Sequence, residues 1–150
     1  MFKLIFRLFL VVFTITGVTL QFIHSTNFLA TLSYYTVLSN FSVLFLFIYV
    51  VYYFDIKHHT ISAKYSILKG SATIGIFLTF LVYHFILRPV LLSTESSYAP
   101  YSFSDLLVHY VVPLMTLLDY ILFDTKGNYK KSYLKYWMIF PIAYVIYVYL

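Results

Sequence analysis

The sequence predicts an all-α, polytopic bundle of transmembrane helices, and three observations carry that expectation. Hydrophobic side chains make up 62% of the 150 residues, aromatics 23% and charged residues only 10%, and a water-soluble domain needs far more charge to keep its surface wet. Five apolar runs recur, at about 5–24, 28–54, 66–88, 105–123 and 134–150, against the roughly 20 residues that a bilayer-crossing helix needs. The Lys and Arg residues lie between those runs or near their ends, where topology signals belong. Residues 1–150 therefore read as a single transmembrane domain.

The first run follows Lys3 and Arg7, the flank of a signal peptide, but "LQFIHSTNF" has no small-residue cleavage site after the apolar core. It is expected to be a retained helix. The second, third and fourth runs are ample spans. The fifth, "YWMIFPIAYVIYVYL", is about 15 residues, or roughly 22 Å, against a hydrocarbon core of ~30 Å. It either borrows residues from "YLK" or is cut short, and a further segment downstream is expected.

Charge sets the expected orientation. Lys3 and Arg7 precede the first run, Lys57, Lys64 and Lys69 fall between the second and third, and Lys126, Lys130, Lys131 and Lys135 fall between the fourth and fifth. Arg88 stands on the other side with Glu95 and Asp105. The positive-inside rule then gives a multi-pass cell-membrane protein with a cytoplasmic N-terminus and the 88–105 loop outside.

Several chemistries drop out. Without cysteine there are no disulfides, thiol nucleophiles or Cys-ligated metals. His58 and His59, with Asp55 nearby, lack zinc-ligand spacing, so no metal is expected. Gly17, Gly70 and Gly75 form no phosphate-cradling loop, and no cofactor is required. The net charge of +5 is not gathered into a basic stripe interleaved with aromatics, so nucleic acid is not an expected partner. Membrane lipids are, while the oligomeric state stays open.

Polar groups inside apolar runs are costly, so their positions are informative. In "LSYYTVLSNFSVL", Ser33, Thr36 and Asn40 are spaced to share one helical face. Asn40 reads first as an interhelical bridge, and Thr36 as a hydroxyl bonded to its own helix. In "LLVHYVVPLMTLLDYILFD", Asp105, His109, Thr116 and Asp119 follow a face that also carries Pro113, which deprives the His109 carbonyl of its usual partner. Asp119 and Lys69 are expected to form a structural ion pair. In "LKGSATIGIFLTFLVYHFILRP", Ser71, Gly75 and Thr79 make a small-residue packing stripe, and His84 lies near the end with Tyr83 facing a different direction. Thr36, His109 and His84 fall in the same half of the membrane, so a hydroxyl nucleophile with an imidazole base is possible if the second, third and fourth spans adjoin.

"YYTVLSN", "LKGSATIGIFLTFLVYH", "LLVHYVVPLMTLLDYILFD" and "FPIAYVIY" together resemble the bacterial six-span membrane proteins called Pr6Pr, distant relatives of the animal androgen-inducible FAR-17a-like proteins. The resemblance covers about Ser33 to Tyr147, and it rests on the His-Tyr-x-x-Pro run followed by an intramembrane Asp and a Phe-Asp exit. It implies six spans in the family. For the animal branch it implies hydrolysis of fatty acid esters of hydroxy fatty acids by an intramembrane threonine with a histidine partner. By position these are Thr36 and His109 here. The expectation is thus a membrane-embedded lipid ester hydrolase with Thr36 as nucleophile and His109 as base. Asn40 and His84 are expected on the substrate side, Asn40 as an oxyanion partner. The alternative is a non-enzymatic membrane protein, either a small transporter with Asn40, His109 and Asp119 along a polar path or a helix-packing subunit.

Overall fold

A computed structural model of the chain describes residues 1–58, 62–94 and 102–150, and those residues contain helices and turns but no strand. Helix α1 runs Phe2–Ile23; α2 covers Phe28–Ser33; α3 covers Tyr35–Val50 and continues into a π turn at Val51–Ile56. Helix α4, Ala63–Val82, passes through a π turn at Tyr83–Leu87 into α5, Arg88–Thr94. Helix α6, Phe103–Leu106, leads through a third π turn, Leu107–Val111, into α7, Val112–Phe123. Two short turns precede α8, Leu134–Trp137, and α9, Ile139–Tyr149.

Four continuous stretches are long and apolar enough to cross a membrane: Phe2–Ile23, Tyr35–Ile56, Ala63–Thr94 and Phe103–Phe123. The fifth apolar run folds differently, as α8 and α9 around a turn at Met138. The 11 residues of α9 reach only roughly 16 Å, about half of a hydrocarbon core.

Helix starts follow local chemistry. Asn27 caps α2 by accepting the Ala30 N–H at 3.1 Å, Ser62 caps α4 through Tyr65 at 3.3 Å, and Ser102 caps α6 through Asp105 at 3.3 Å. Helix α3, like α1, α8 and α9, has no such cap. It starts after Tyr34, which is extended at φ −69° and ψ 135° and offers no side-chain cap. That break corrects the single polar face expected of Ser33, Thr36 and Asn40. An extended residue between Ser33 and Thr36 resets the helical phase, so the Ser33 hydroxyl meets Tyr147 of α9 at 3.1 Å while Asn40 is fully buried.

The helices pack with α3 against α1 and α4, α4 against α7, and α1 against the π turn at Leu107–Val111. Leu10, Val43, Phe47, Val50, Ile76 and Val112 form the apolar centre. Large apolar side chains such as Phe9, Phe45, Phe85 and Leu122 face outward, as lipid-facing helices require.

Charge is found inside. Arg7, 1% exposed, donates to Asp119 at 2.8 and 3.2 Å and to Asp55 at 3.0 Å. The expected ion pair of Lys69 with Asp119 is present, and Lys69 also reaches Asp124 at 2.6 Å. Lys3 adds a contact to Asp55 at 3.1 Å. Asp55, Asp119 and Asp124 thus each have a cation, the condition under which such charges are tolerated away from water. The Tyr129 hydroxyl, in the segment after α7, donates to Asp124, and burial together with that carboxylate pushes its pKa well above the usual tyrosine value.

Candidate functional site

At the opposite end of the bundle from Arg7, three uncommon backbone features converge: the uncapped start of α3 and the π turns that carry Tyr83 and His109. Pro113 explains the last of these. A proline in a regular helix removes one hydrogen bond and crowds the carbonyl four residues back, here that of His109. The wider π turn lies immediately before Pro113 in the continuous Phe103–Phe123 helix, where it accommodates the missing N–H. Such turns also re-aim side chains and recur at functional sites.

Thr36 is the second residue of α3, and its Oγ1 lies 3.2 Å from Nε2 of His109. Nδ1 of His109 faces two oxygens of Asp105, the backbone carbonyl at 3.2 Å and carboxylate Oδ1 at 3.1 Å. Both are acceptors, which fixes the tautomer of a neutral ring. The proton belongs on Nδ1, leaving Nε2 to accept from the Thr36 hydroxyl. The Tyr83 hydroxyl donates to the same Asp105 oxygen, and its ring stacks on the imidazole with centroids 3.6 Å apart and planes 11° from parallel. His109 is therefore held through one nitrogen and one face, and it is 7% exposed.

The structure brings Thr36 and His109 together, whereas Asn40 and His84 take other positions. Asn40 donates to the Thr36 carbonyl at 2.8 Å and to the Val108 carbonyl at 3.2 Å. Both of its N–H groups are thereby used, and the atom left without a partner is the acceptor Oδ1. Asn40 has no donor to offer an oxyanion; it braces α3 against the turn that carries His109. His84 turns to the Tyr110 hydroxyl at 3.1 Å and stacks on Phe80. Ser39 bonds Thr79 at 2.7 Å, fixing α3 to α4 just below Thr36.

Asp105 and Tyr83 are the residues that sequence reasoning missed in this role. Asp105 carried a usable signal, since it precedes His109 by four residues and so lies on the same helical face. Tyr83 carried only its direction, away from His84.

Two cavities flank the 34–36 segment. An apolar one of about 280 Å³ is lined by Tyr35, Thr36, Thr79, Val82, Pro141 and Tyr144. A polar one of about 320 Å³ is lined by Tyr34 and Asp105, with residues from the end of α1 and the turn after it. Among the described residues, no group of three or more His, Asp or Glu is arranged to hold a metal ion. His59 and Glu95 lie outside the described residues.

Comparison with protein-family models, curated proteins and solved structures gives no match to this chain. What the site can do is therefore read from its own geometry. A hydroxyl on an imidazole nitrogen, with the other nitrogen held by a carboxylate, is the arrangement by which hydrolases activate an alcohol as a nucleophile.

Proposed function

We propose that the chain is a multi-pass membrane hydrolase of lipid esters, related to the Pr6Pr proteins, with Thr36 as nucleophile, His109 as general base and acid, and Asp105 as the group that orients His109. The observation that carries this reading is the 3.2 Å contact of Thr36 Oγ1 with His109 Nε2, with Asp105 on Nδ1. In the first step Oγ1 attacks the ester carbonyl carbon as Nε2 takes the hydroxyl proton. The tetrahedral oxyanion is stabilised at the positive end of α3. Tyr144 accepts the Tyr35 N–H at 3.0 Å, and the Thr36 and Val37 amides of the first turn have no intrahelical acceptor. They are the donors nearest in sequence to the nucleophile. Collapse of the intermediate passes the proton from Nε2 to the leaving alcohol and leaves an acyl ester on Thr36. Water then repeats the sequence and releases the acid.

The apolar cavity beside Thr36 supports an acyl chain as the occupant. The basic residues at the Arg7 end support a cytoplasmic N-terminus, and α8 with α9 is assigned as the fifth membrane segment. A cysteine-free chain makes orientation directly measurable: a single cysteine at Lys131 is expected to react with an impermeant maleimide from the cytoplasmic side only, and one at Ser93 from the outside only.

The test of the hydrolase is labelling of the solubilised protein by a fluorophosphonate probe. Wild type is expected to label, and Thr36→Ala and His109→Ala at matched expression are expected not to. A folded wild type that stays unlabelled overturns the assignment. A second reading, a helix-packing subunit or small transporter, is favoured by the buried cluster of Arg7, Asp55, Lys69, Asp119 and Asp124. It predicts that loss of Asp119 removes function while loss of Thr36 does not.

A further inference from the structure

The polar cavity beside Asp105 has no part in the mechanism above. Its floor is buried: Asp105 is 8% exposed and Ser104 7%. Its rim is exposed at His24 and Asn27, with Gln21 on the wall. Several of the lining groups are already committed: Asn27 Oδ1 caps α2, Ser102 Oγ caps α6, the Ser25 and Thr31 hydroxyls bond each other at 2.6 Å, and Ser104 Oγ donates to the Gly17 carbonyl at 3.4 Å. Asp105 is committed on one side only. Its Oδ1 serves Tyr83 and His109, while its buried Oδ2 has no partner among the described residues. A buried carboxylate oxygen without a donor costs free energy, and the cavity lies beside the residue that bears it.

The chemistry of the lining narrows the occupant. Among the described residues that line the cavity, hydroxyls, amides and one imidazole accompany Asp105, with no Lys or Arg. A phosphate or carboxylate there would meet the Asp105 charge with no fixed cation to offset it. A neutral group with several hydroxyls finds donors in the Gln21 and Asn27 amides and meets Asp105 at the floor without a clash of charge. Position points the same way. Tyr34 lines the polar cavity, and Tyr35 and Thr36 line the apolar one. An amphiphile lying across the 34–36 segment would hold its ester near Thr36.

We propose that the polar cavity binds the uncharged, polyhydroxyl head of the ester, so that the substrate is a neutral acylglycerol-type lipid and not an anionic one. The proposal rests on the hydrolase reading and narrows it. Its test compares three oleoyl lipids on the full chain in detergent: monooleoylglycerol, methyl oleate and oleoyl lysophosphatidate. Affinity is read by ligand-induced thermal stabilisation and turnover by released oleate. Monooleoylglycerol is expected to bind about tenfold more tightly than either of the others, the equivalent of one or two hydrogen bonds. Gln21→Leu and His24→Leu are each expected to cut that preference several-fold. His24 is on the exposed rim, so its variant carries the test even if Gln21→Leu does not fold.

Equal affinity for methyl oleate, tighter binding of lysophosphatidate, or a preference that survives His24→Leu overturns the head-group site. The two arms fail separately. Selective binding without oleate release overturns the hydrolase and keeps the site. Release from methyl oleate as fast as from monooleoylglycerol keeps the hydrolase and overturns the site.

Discussion

In the proposed mechanism His109 can act as a base only while its own proton stays on Nδ1, where the Asp105 acceptors favour it. Asp105→Asn preserves shape but allows the amide to donate toward Nδ1, which favours the other tautomer and leaves Nε2 unable to accept from Thr36. The expected outcome is a fall in kcat of about 10³- to 10⁴-fold with little change in KM, as in other relays that lose this carboxylate; ester turnover by the purified variant measures it. Thr36, Asn40 and His109 stood out in the sequence because each is a polar group in a run with little else polar. Asp105 was legible on the face that carries His109, but at the border of the fourth run, where a charge has little cost, nothing in the sequence assigned it to the imidazole. Tyr83 was one of 17 tyrosines, and no periodicity within its own helix says which neighbour its ring meets. The order in which helices adjoin is a tertiary fact, and it decides which hydroxyl faces which imidazole.

At the scale of elements, run lengths made the long helices legible and Pro113 marked an irregular spot at His109, whereas the break at Tyr34 and the π turns at Val51–Ile56 and Tyr83–Leu87 were not legible, since a one-residue change of helical phase leaves composition untouched. Gly17 links two elements at the site. A Cβ there would stand 2.8 Å from Val108 Cγ1 and 3.0 Å from Leu107 Cβ, so α1 rests directly on the turn that carries His109. Gly17→Ala is expected to push that turn outward, at an overpacking cost of about 1–3 kcal/mol, and to slow fluorophosphonate labelling beyond what the loss of thermal stability explains. The segment after α7 has its own signature in pH. Tyr129 keeps its proton in the folded chain where the unfolded chain gives it up, so its contribution to stability is present below pH 10.0 and is lost as pH rises past that value. Thermal melts of wild type against Tyr129→Phe are expected to converge above pH 10.0.

For the whole molecule, the ionic cluster joins all four long helices at one end while the Thr36 site occupies the other. Asp119→Asn leaves Arg7 and Lys69 short of a shared carboxylate, a change expected to cost about 3–5 kcal/mol. Melting in detergent should register it, while the fraction that remains folded should label at the wild-type rate, because Asp119 is remote from Thr36. The Lys69–Asp119 pair was legible from charges that needed partners. The share of Arg7 and Asp55 in it was not, because both sit at run borders, where charges pass for topology signals. Arg7 and Asp119 are separated by 112 positions in the chain. In the multi-pass topology proposed above, the first helix would enter the bilayer before Asp119 exists, with Asp55, 48 positions on, as its earlier counter-charge, and the arginine's full set of partners would wait for the fourth long helix. Assembly of this bundle is in that sense a late, concerted event, and a chain stopped before Asp119 is expected to be an orphan for membrane quality control.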